Sequence, residues 1–116
     1  MAQKAALNFC ENQLKVPAHL VEIDSVEENN AIQSEMNRRG AIHVWLGISD
    51  KNSEGNWTLQ STGEGVVYTN WGMNEPNNVG SEEHCAYMGD DGHWNDVVCN
   101  IAKWRNGRNW TAVCEI

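Results

Sequence analysis

Glu75-Pro76-Asn77-Asn78-Val79-Gly80-Ser81-Glu82-Glu83-His84-Cys85 and, after a short interval, Trp94-Asn95-Asp96 are the two most informative segments of this sequence. They concentrate carboxylate and carboxamide groups, which are oxygen donors. Calcium takes about six to eight oxygen ligands at roughly 2.3–2.6 Å, in flexible geometry. Five side chains of these segments could supply most of such a shell: Glu75, Asn77, Glu83, Asn95 and Asp96. The segments therefore predict a calcium site, and its three carboxylates would balance the charge of the ion.

The length and charge of the chain limit the classes of function. Its 116 residues predict one domain, residues 1–116. Sixteen acidic residues against eight basic ones give a net charge of −8, which argues against a nucleic-acid-binding protein and against binding to an anionic membrane. No apolar run reaches the roughly 18 residues that a membrane span needs, so we expect no membrane insertion. A surplus of carboxylates does suit a hard cation such as calcium.

Four cysteines indicate the compartment: Cys10, Cys85, Cys99 and Cys114. None forms a C-x-x-C pair, which argues against a zinc ribbon or a thioredoxin-like site. An even number in a small acidic chain indicates two disulfides and a secreted or extracellular protein, whereas four free thiols would indicate a cytosolic one. Three pairings are possible; we favour Cys10–Cys114, which would tie the two ends of the chain, with Cys85–Cys99 closing a short loop inside it. The first residues lack the apolar core of a signal peptide, so we expect a mature fragment with an added Met1.

The first part of the sequence predicts two helices. An apolar stripe at residues 7, 10 and 14 predicts a short helix that Pro17 ends. Ser25 and Glu28 form a capping box, in which each side chain caps a free backbone N–H group at the start of a helix. This second helix is predicted to run to about residue 39, and Gly40 is a natural residue to follow its last turn.

The predicted strands are short. Residues 20–23 and 42–48 are apolar and rich in β-forming residues, and each predicts a strand. Residues 50–96 are rich in Gly, Asn, Asp, Glu and Ser, so only two short strands, 57–59 and 66–68, are predicted there, with a closing strand at 111–116. Helices early and short strands later predict the α+β class. Three tryptophans are predicted to lie in the core rather than to stack on a sugar: Trp45, Trp71 and Trp94.

Taken together, these features resemble one known family. The Glu75-Pro76-Asn77 and Trp94-Asn95-Asp96 motifs, with the four cysteines in their order, look like those of a C-type lectin domain of the E-P-N, mannose-type class. Val44-Trp45-Leu46-Gly47-Ile48 resembles the W-I-G-L core strand of that family, and Thr111-Ala112-Val113-Cys114-Glu115 resembles its closing strand. The resemblance covers nearly the whole chain. It implies a C-type lectin fold, with two helices, short antiparallel sheets, a long calcium-binding loop region and two disulfides.

The resemblance also implies how the principal calcium site would bind a sugar. Glu75, Asn77, Glu83, Asn95 and Asp96 would hold the ion, and a cis Glu75–Pro76 bond would direct the flanking side chains towards it. Two vicinal sugar hydroxyls would fill the open ligand positions, accepting hydrogen bonds from the carboxamides and donating to the carboxylates. The E-P-N order implies equatorial 3- and 4-hydroxyls, as in mannose, glucose, N-acetylglucosamine and, by related geometry, fucose, whereas a Q-P-D order would imply galactose. Val79 is predicted to make an apolar contact with the sugar.

A second calcium site is implied by a further set of residues: Asp50, Glu54, Asn78 and Glu83. His84 stands where the family commonly has an aspartate, and the missing charge should weaken this second ion. His84 also lies beside Cys85, but it has no C-x2-C or H-x3-H partner, so its spacing predicts no zinc site.

The sequence departs from the family in two places. Only nine residues precede Cys10, whereas these domains usually open with a strand that pairs with the closing one, so we expect that strand to be missing or built differently. Residues 100–113 form a longer interval than usual. Its centre, residues 103–110, is interpreted as a surface hairpin around Asn106-Gly107, and the alternative is an accessory contact for a partner, a subunit or an acidic glycan.

The leading hypothesis is a calcium-dependent module that binds glycans with terminal mannose-type sugars and is not an enzyme. The alternative is a C-type lectin-like domain that binds a protein or ice and uses calcium only structurally. A small hydrolase with Glu75 or Asp96 as its base is a third hypothesis, which is weak because the carboxylates are better used as ligands than as an acid and base pair. Oligomerisation stays open, since no collagen-like or coiled-coil segment is present.

Overall fold

The computed structural model describes residues 3–12, 18–78, 81–99 and 110–115 of the chain. Helix α1 spans Gln3–Asn12 and helix α2 spans Val26–Arg39. The strands are β1 His19–Leu20, β2 His43–Ser49, β3 Thr58–Leu59, β4 Cys85–Gly89, β5 Trp94–Val97, β6 Trp110–Thr111 and β7 Cys114–Glu115. Two helices and seven short, mostly antiparallel strands in the described residues confirm the predicted α+β class. Neither helix in the described ranges is both long and apolar enough to span a bilayer.

Strand β2 organises the larger of two sheets. The strand order is β3-β2-β4-β5, and β6 also pairs with β2, in parallel, at His43 and Val44. The closing strand β7 pairs with β1 in a separate two-stranded sheet, with His19 opposite Glu115. The described closing strand therefore has a partner in β1, which follows α1 in the chain.

The capping box of α2 forms as predicted. Ser25 Oγ accepts a hydrogen bond from the backbone N–H of Glu28 at 3.1 Å, which satisfies one of the free donors of the first turn. The Glu28 carboxylate turns back and accepts from the N–H of Asp24 at 2.9 Å, one residue before the cap. At the other end Gly40 has a φ of 70°, a left-handed conformation that a Cβ disfavours. The helix therefore ends where the sequence predicts.

Both favoured disulfides form. Cys10 on α1 bonds to Cys114 on β7, so the first helix is tied to the closing strand. Cys85, the first residue of β4, bonds to Cys99 just beyond the end of β5. All four cysteines are therefore paired, and the alternative of free cytosolic thiols is wrong.

The core consists of two clusters on opposite faces of β2. Val44, Leu46 and Ile48 point to one face and pack in the cluster that includes Met36 of α2 and Trp94 of β5. Trp45 points to the other face, where it packs with residues of α1 and with Trp110. This alternation follows from the two-residue period of a strand. Trp45 and Trp94 are fully buried and the half-buried Trp71 packs against the first cluster, so the prediction of three core tryptophans is confirmed.

Two strands of the larger sheet, β4 and β5, are absent from the sequence prediction. Residues 85–97 contain Gly, Asn and Asp, which disfavour strands in isolation. The pairing between β4 and β5, with Tyr87 opposite Asn95, overrides this local preference. Two polar residues of β5, Asn95 and Asp96, line the candidate functional site.

Other predicted strands are shortened, divided or missing. The predicted strand 20–23 keeps only its first residue within β1, and the closing strand is divided into β6 and β7. The predicted strand 66–68 is wrong. Val66 and Tyr68 pack against the core and Val67 is exposed, which is the alternation of a strand, but no neighbouring strand pairs with these residues in the described structure.

Gly47 allows the segment after β1 to lie directly against β2. Its N–H donates to the Val21 carbonyl at 2.8 Å. A Cβ at residue 47 would lie 2.7 Å from the carbonyl oxygen of Leu20, closer than van der Waals contact allows. A side chain at this position would therefore push β1, and with it the closing strand, away from the larger sheet.

Replacing Gly47 with alanine is expected to destabilise the protein by about 1–3 kcal/mol, the usual cost of adding a methyl group where the packing has no room. Chemical denaturation followed by tryptophan fluorescence measures this loss as a lower unfolding midpoint. Gly65→Ala is the matched control, because a Cβ there would meet no atom within 4 Å. Equal midpoints for the two variants would show that β1 does not need the close approach.

Candidate functional site

The five side chains predicted to hold calcium line one concavity. Its volume is about 160 Å³. The residues that line it are Glu75, Asn77, Glu83, Tyr87, Asn95, Asp96 and Val97. The structure thus brings the whole predicted set together from a loop, from the segment before β4 and from β5. Val79, the predicted apolar contact, and the hairpin predicted around Asn106-Gly107 lie outside the described residues.

Backbone hydrogen bonds hold the loop that carries Glu75 against the start of β5. The Trp94 N–H donates to the Asn70 carbonyl at 2.9 Å, and the Gly72 N–H donates to the Trp94 carbonyl at 2.9 Å. The Glu75 N–H then donates to the Gly72 carbonyl at 3.0 Å, which turns the chain. As a result Glu75 and Asn95, the residue after Trp94, line the same concavity.

Asp96 fixes the next part of the loop. The Glu75–Pro76 bond is cis, as the resemblance implies. Beyond the proline, the Asp96 carboxylate accepts hydrogen bonds from the N–H groups of Asn77 at 3.1 Å and Asn78 at 2.7 Å. Asp96 is only 4% exposed, and these bonds offset part of the cost of burying its charge. A carboxylate has about four lone-pair positions, so Asp96 can also accept an ion.

The two carboxamides have defined partners. Asn77 Nδ2 donates to Glu75 Oε2 at 3.2 Å, which places a donor beside an acceptor at the mouth of the site. Asn95 Nδ2 donates to the hydroxyl of Tyr87 at 2.9 Å, so its side-chain oxygen remains available. Tyr87 is not among the predicted site residues, because its place opposite Asn95 depends on the β4–β5 register, which no local pattern indicates.

Negative charge is concentrated in the concavity. Burial, a hydrogen bond with the Asp96 carboxyl and the charges of Asp96 and Glu83 together raise the pKa of Glu75 to about 7. The carboxyl groups therefore oppose one another's ionisation when no cation lies between them. The five predicted ligands offer oxygen donors, with no thiolate or imidazole among them. Calcium prefers ligands of this kind, so these residues fit a calcium ion.

The residues predicted for a second calcium ion make two separate sets of contacts. Asp50 Oδ1 lies 3.0 Å and Glu54 Oε1 lies 3.3 Å from Nδ1 of His84. Asn78 instead uses its side-chain oxygen to accept a hydrogen bond from the N–H of Glu83 at 3.0 Å. The second calcium ion stays a prediction. His84 has acidic neighbours that its sequence spacing did not reveal, because they come from a distant turn.

A wider groove of about 780 Å³ adjoins the concavity, and Glu75, Tyr87 and Asn95 line both. His43 lies in this groove and stacks on Trp110, with ring centroids 4.4 Å apart and an interplanar angle of 10°. His43 is not among the site residues that the sequence predicts. Its stacking partner comes from β6, whose parallel pairing with β2 is not visible in the sequence.

The chain is similar to known proteins in sequence and in fold. A family model for the lectin C-type domain matches residues 1–106. The chain belongs to the C-type lectin family. This C-type lectin domain is 39% identical over 83 residues to the hepatic lectin of Gallus gallus. The aligned residues make up 71% of this chain and 39% of the hepatic lectin.

Two solved structures are close in fold to this C-type lectin domain. The mouse scavenger receptor C-type lectin carbohydrate-recognition domain superimposes with a TM-score of 0.75 and 34% identity, over 85% of this chain and 75% of that one. The carbohydrate-recognition domain of cow CD23, determined in the presence of a GlcNAc2Man3 oligosaccharide, has a TM-score of 0.74 and 31% identity. The superposition covers 85% of this chain and 71% of the CD23 chain.

Membership of the family confirms the predicted fold and the prediction that the domain is not an enzyme. C-type lectin domains related to this chain are non-enzymatic carbohydrate-binding proteins, so the hydrolase hypothesis is wrong. The family also generally binds calcium, in agreement with the oxygen-rich concavity.

Glu75 provides a direct test of the electrostatics of the site. In calcium-free protein its carboxyl should titrate near pH 7 by NMR, and Asp96→Asn should lower this pKa because one neighbouring charge is removed. Because the pKa is higher in the folded chain than in the unfolded one, the Glu75 contribution to stability falls as pH rises from about 5 to above 7. Glu64→Gln, an exposed control, should leave the pKa of Glu75 unchanged. A pKa of about 4.3 for Glu75 in the parent protein would show that burial and the neighbouring carboxylates do not perturb it.

Proposed function

We propose that this domain binds glycans with terminal mannose-type sugars through a bound calcium ion. The observation that carries the proposal is the convergence of five oxygen-donor side chains on one small concavity: Glu75, Asn77, Glu83, Asn95 and Asp96. Carboxylates held this close need a cation to be ionised together, as the raised pKa of Glu75 indicates. Calcium binding is general in the family.

The layering of the site leaves an ion accessible to a ligand. Asp96 lies buried at the base, Glu75, Glu83 and Asn95 are half-buried around it, and Asn77 is exposed at the rim. A calcium ion held from below and from the sides would keep coordination positions directed towards solvent. Two vicinal hydroxyls of a sugar would occupy these positions in place of water.

The choice of sugar follows from the order of donors and acceptors. A hydroxyl that gives one lone pair to calcium can donate its proton to Glu75 and accept from the amide of Asn77. These two groups already lie within hydrogen-bonding distance of each other. Glu83 and Asn95 would serve the second hydroxyl in the same manner. This order favours the equatorial 3- and 4-hydroxyls of mannose, glucose and N-acetylglucosamine, and by related geometry fucose.

Larger glycans have room beside this site. The adjoining groove, of about 780 Å³, is continuous with the lining residues Glu75 and Asn95, so further residues of an oligosaccharide would extend into it. The cow CD23 domain, whose structure was determined with a mannose-containing oligosaccharide, has a similar fold. We place the function outside the cell, because two disulfides require an oxidising compartment.

A single shallow site of this kind should bind a monosaccharide weakly, in the millimolar range or about −4 kcal/mol. Tight attachment to a cell surface or particle would then depend on several sites and several ligands acting together.

The proposal is tested by retention on mannose-agarose. The protein should be retained in calcium and released by EDTA, and Glu83→Gln should abolish retention because a ligand carboxylate is lost. Glu82→Gln is the matched control, since Glu82 is the exposed neighbouring residue and does not line the concavity. Retention that survives EDTA would rule out a calcium bridge. A glycan array in calcium that gives no signal would favour the alternative of a protein- or ice-binding domain.

Sugar preference should follow the order of carboxylate and carboxamide. The double variant Glu75→Gln, Asn77→Asp exchanges the two groups and is expected to move preference from mannose towards galactose. Competition of free mannose and free galactose for the bound protein measures the change. An unchanged preference for mannose in a variant that still binds calcium would show that other residues determine specificity.

A further inference from the structure

Three metal-binding side chains gather beside the principal site without belonging to its ligand set: Asp50, Glu54 and His84. One donor atom of each lies within 4.8 Å of those of the other two. Asp50 follows the end of β2, Glu54 lies in the turn after it, and His84 directly precedes β4. The group therefore joins the ends of two paired strands of the larger sheet.

Hydrogen bonds fix Asp50 within this group. Its N–H donates to the carbonyl of His84 at 3.2 Å, and its carbonyl accepts from the N–H of Ser53 at 3.2 Å. Its Oδ2 accepts from the N–H of Gly55 at 2.9 Å, so Oδ1 is the oxygen that faces His84. The Asp50 side chain is fully buried, whereas the side chains of His84 and Glu54 are 32% and 54% exposed. The group is therefore rigid at its base and open to an entering ion.

The distances between the donor atoms are compatible with a zinc ion. Zinc binds imidazole nitrogen at about 2.0–2.1 Å and carboxylate oxygen at about 2.0–2.2 Å, so tetrahedral ligand atoms lie roughly 3.3–3.5 Å apart. His84 Nδ1 is 3.0 Å from Asp50 Oδ1 and 3.3 Å from Glu54 Oε1. Small adjustments would bring the three atoms to that spacing. The exposed side chains of His84 and Glu54 are the ones that are able to move.

The chemical type of the donor atoms favours zinc over calcium. Calcium takes oxygen ligands, whereas imidazole is a preferred ligand of zinc and related transition ions. Two carboxylates and a neutral imidazole would balance a divalent charge, and three protein ligands leave a fourth position for water. The principal site, by contrast, offers oxygen donors from all five of its predicted ligands.

We propose that Asp50, Glu54 and His84 form a binding site for a divalent ion of the zinc class, separate from the calcium ion of the principal site. His84 would bind through Nδ1. The competing state is an ion-free one, in which a protonated His84 forms ion pairs with the two carboxylates. The site does not depend on the proposed sugar binding, because metal uptake can be measured without any glycan.

Isothermal titration of calcium-saturated protein with Zn²⁺ tests the site. The protein should take up one equivalent of zinc, and His84→Gln should weaken this uptake at least about 10-fold because it removes the nitrogen ligand. Bound Co²⁺ should give the intense visible absorption of a four-coordinate site in the parent protein and lose it in the variant. His93→Gln is the matched control, since His93 is exposed and contacts a single carboxylate, Asp91, at 3.3 Å; its zinc uptake should equal that of the parent.

Replacing the imidazole of His84 with a carboxylate should change the preference of the site from zinc to calcium. His84→Asp supplies an oxygen donor, so it should lose zinc and take up one more equivalent of calcium than the parent protein. Circular dichroism of both His84 variants confirms that they are folded. No zinc uptake by the parent, equal uptake by His84→Gln, or a second calcium equivalent in the parent that zinc does not displace would each overturn the proposal.

Discussion

The candidate site depends on one buried carboxylate that joins the sheet to the long loop. Asp96 lies on β5, and its carboxylate accepts hydrogen bonds from the N–H groups of Asn77 and Asn78 in the loop. These bonds use two of its lone-pair positions and leave others for an ion. In the proposed site, the group that determines the loop conformation is therefore also a ligand, so the loop would already be in place when the cation binds. An ion that binds here has little conformational entropy of the loop to overcome.

Below this carboxylate, a buried polar network connects α2 to the strand that carries it. Asn29 is 2% exposed, donates to the Gly92 carbonyl at 3.0 Å and accepts from the indole N–H of Trp94 at 2.8 Å. Asn70, from the loop, donates to the same Gly92 carbonyl. Buried polar groups need such partners, because an unpaired one costs about 1–3 kcal/mol. These hydrogen bonds hold α2, the turn at Gly92, β5 and the loop at Asn70 in one arrangement. The position of the candidate site is therefore determined by buried contacts of the core.

The sequence predicts those features whose chemistry is local or strongly patterned. The capping box of Ser25 and Glu28 lies within one turn of helix, and the disulfide pairs and the calcium set come from motifs in a recognisable order. It does not predict β4 and β5, since β4 is stabilised by pairing with β2, and β5 by pairing with β4, rather than by their own composition. For the same reason the sequence gives no indication of the hydrogen bond from Asn95 to Tyr87. The partners of His84 lie about 30 residues earlier in the chain, so spacing rules for short metal motifs could not find them.

The Cys85–Cys99 disulfide stabilises the part of the fold that carries two of the predicted ligand carboxylates. Glu83 and Asp96 lie within three residues of Cys85 and Cys99 respectively, and the disulfide between these cysteines closes the end of the β4–β5 pair. In the chain-entropy model a closed loop of about 15 residues contributes about 3 kcal/mol of stability. Burial of Glu75, together with its hydrogen bond to Asp96 and the charges of Asp96 and Glu83, raises the pKa of its carboxyl to about 7. Under the proposed function, part of the acidic surplus of the sequence, which by itself only excludes anionic partners, is a set of cation ligands held together by the fold.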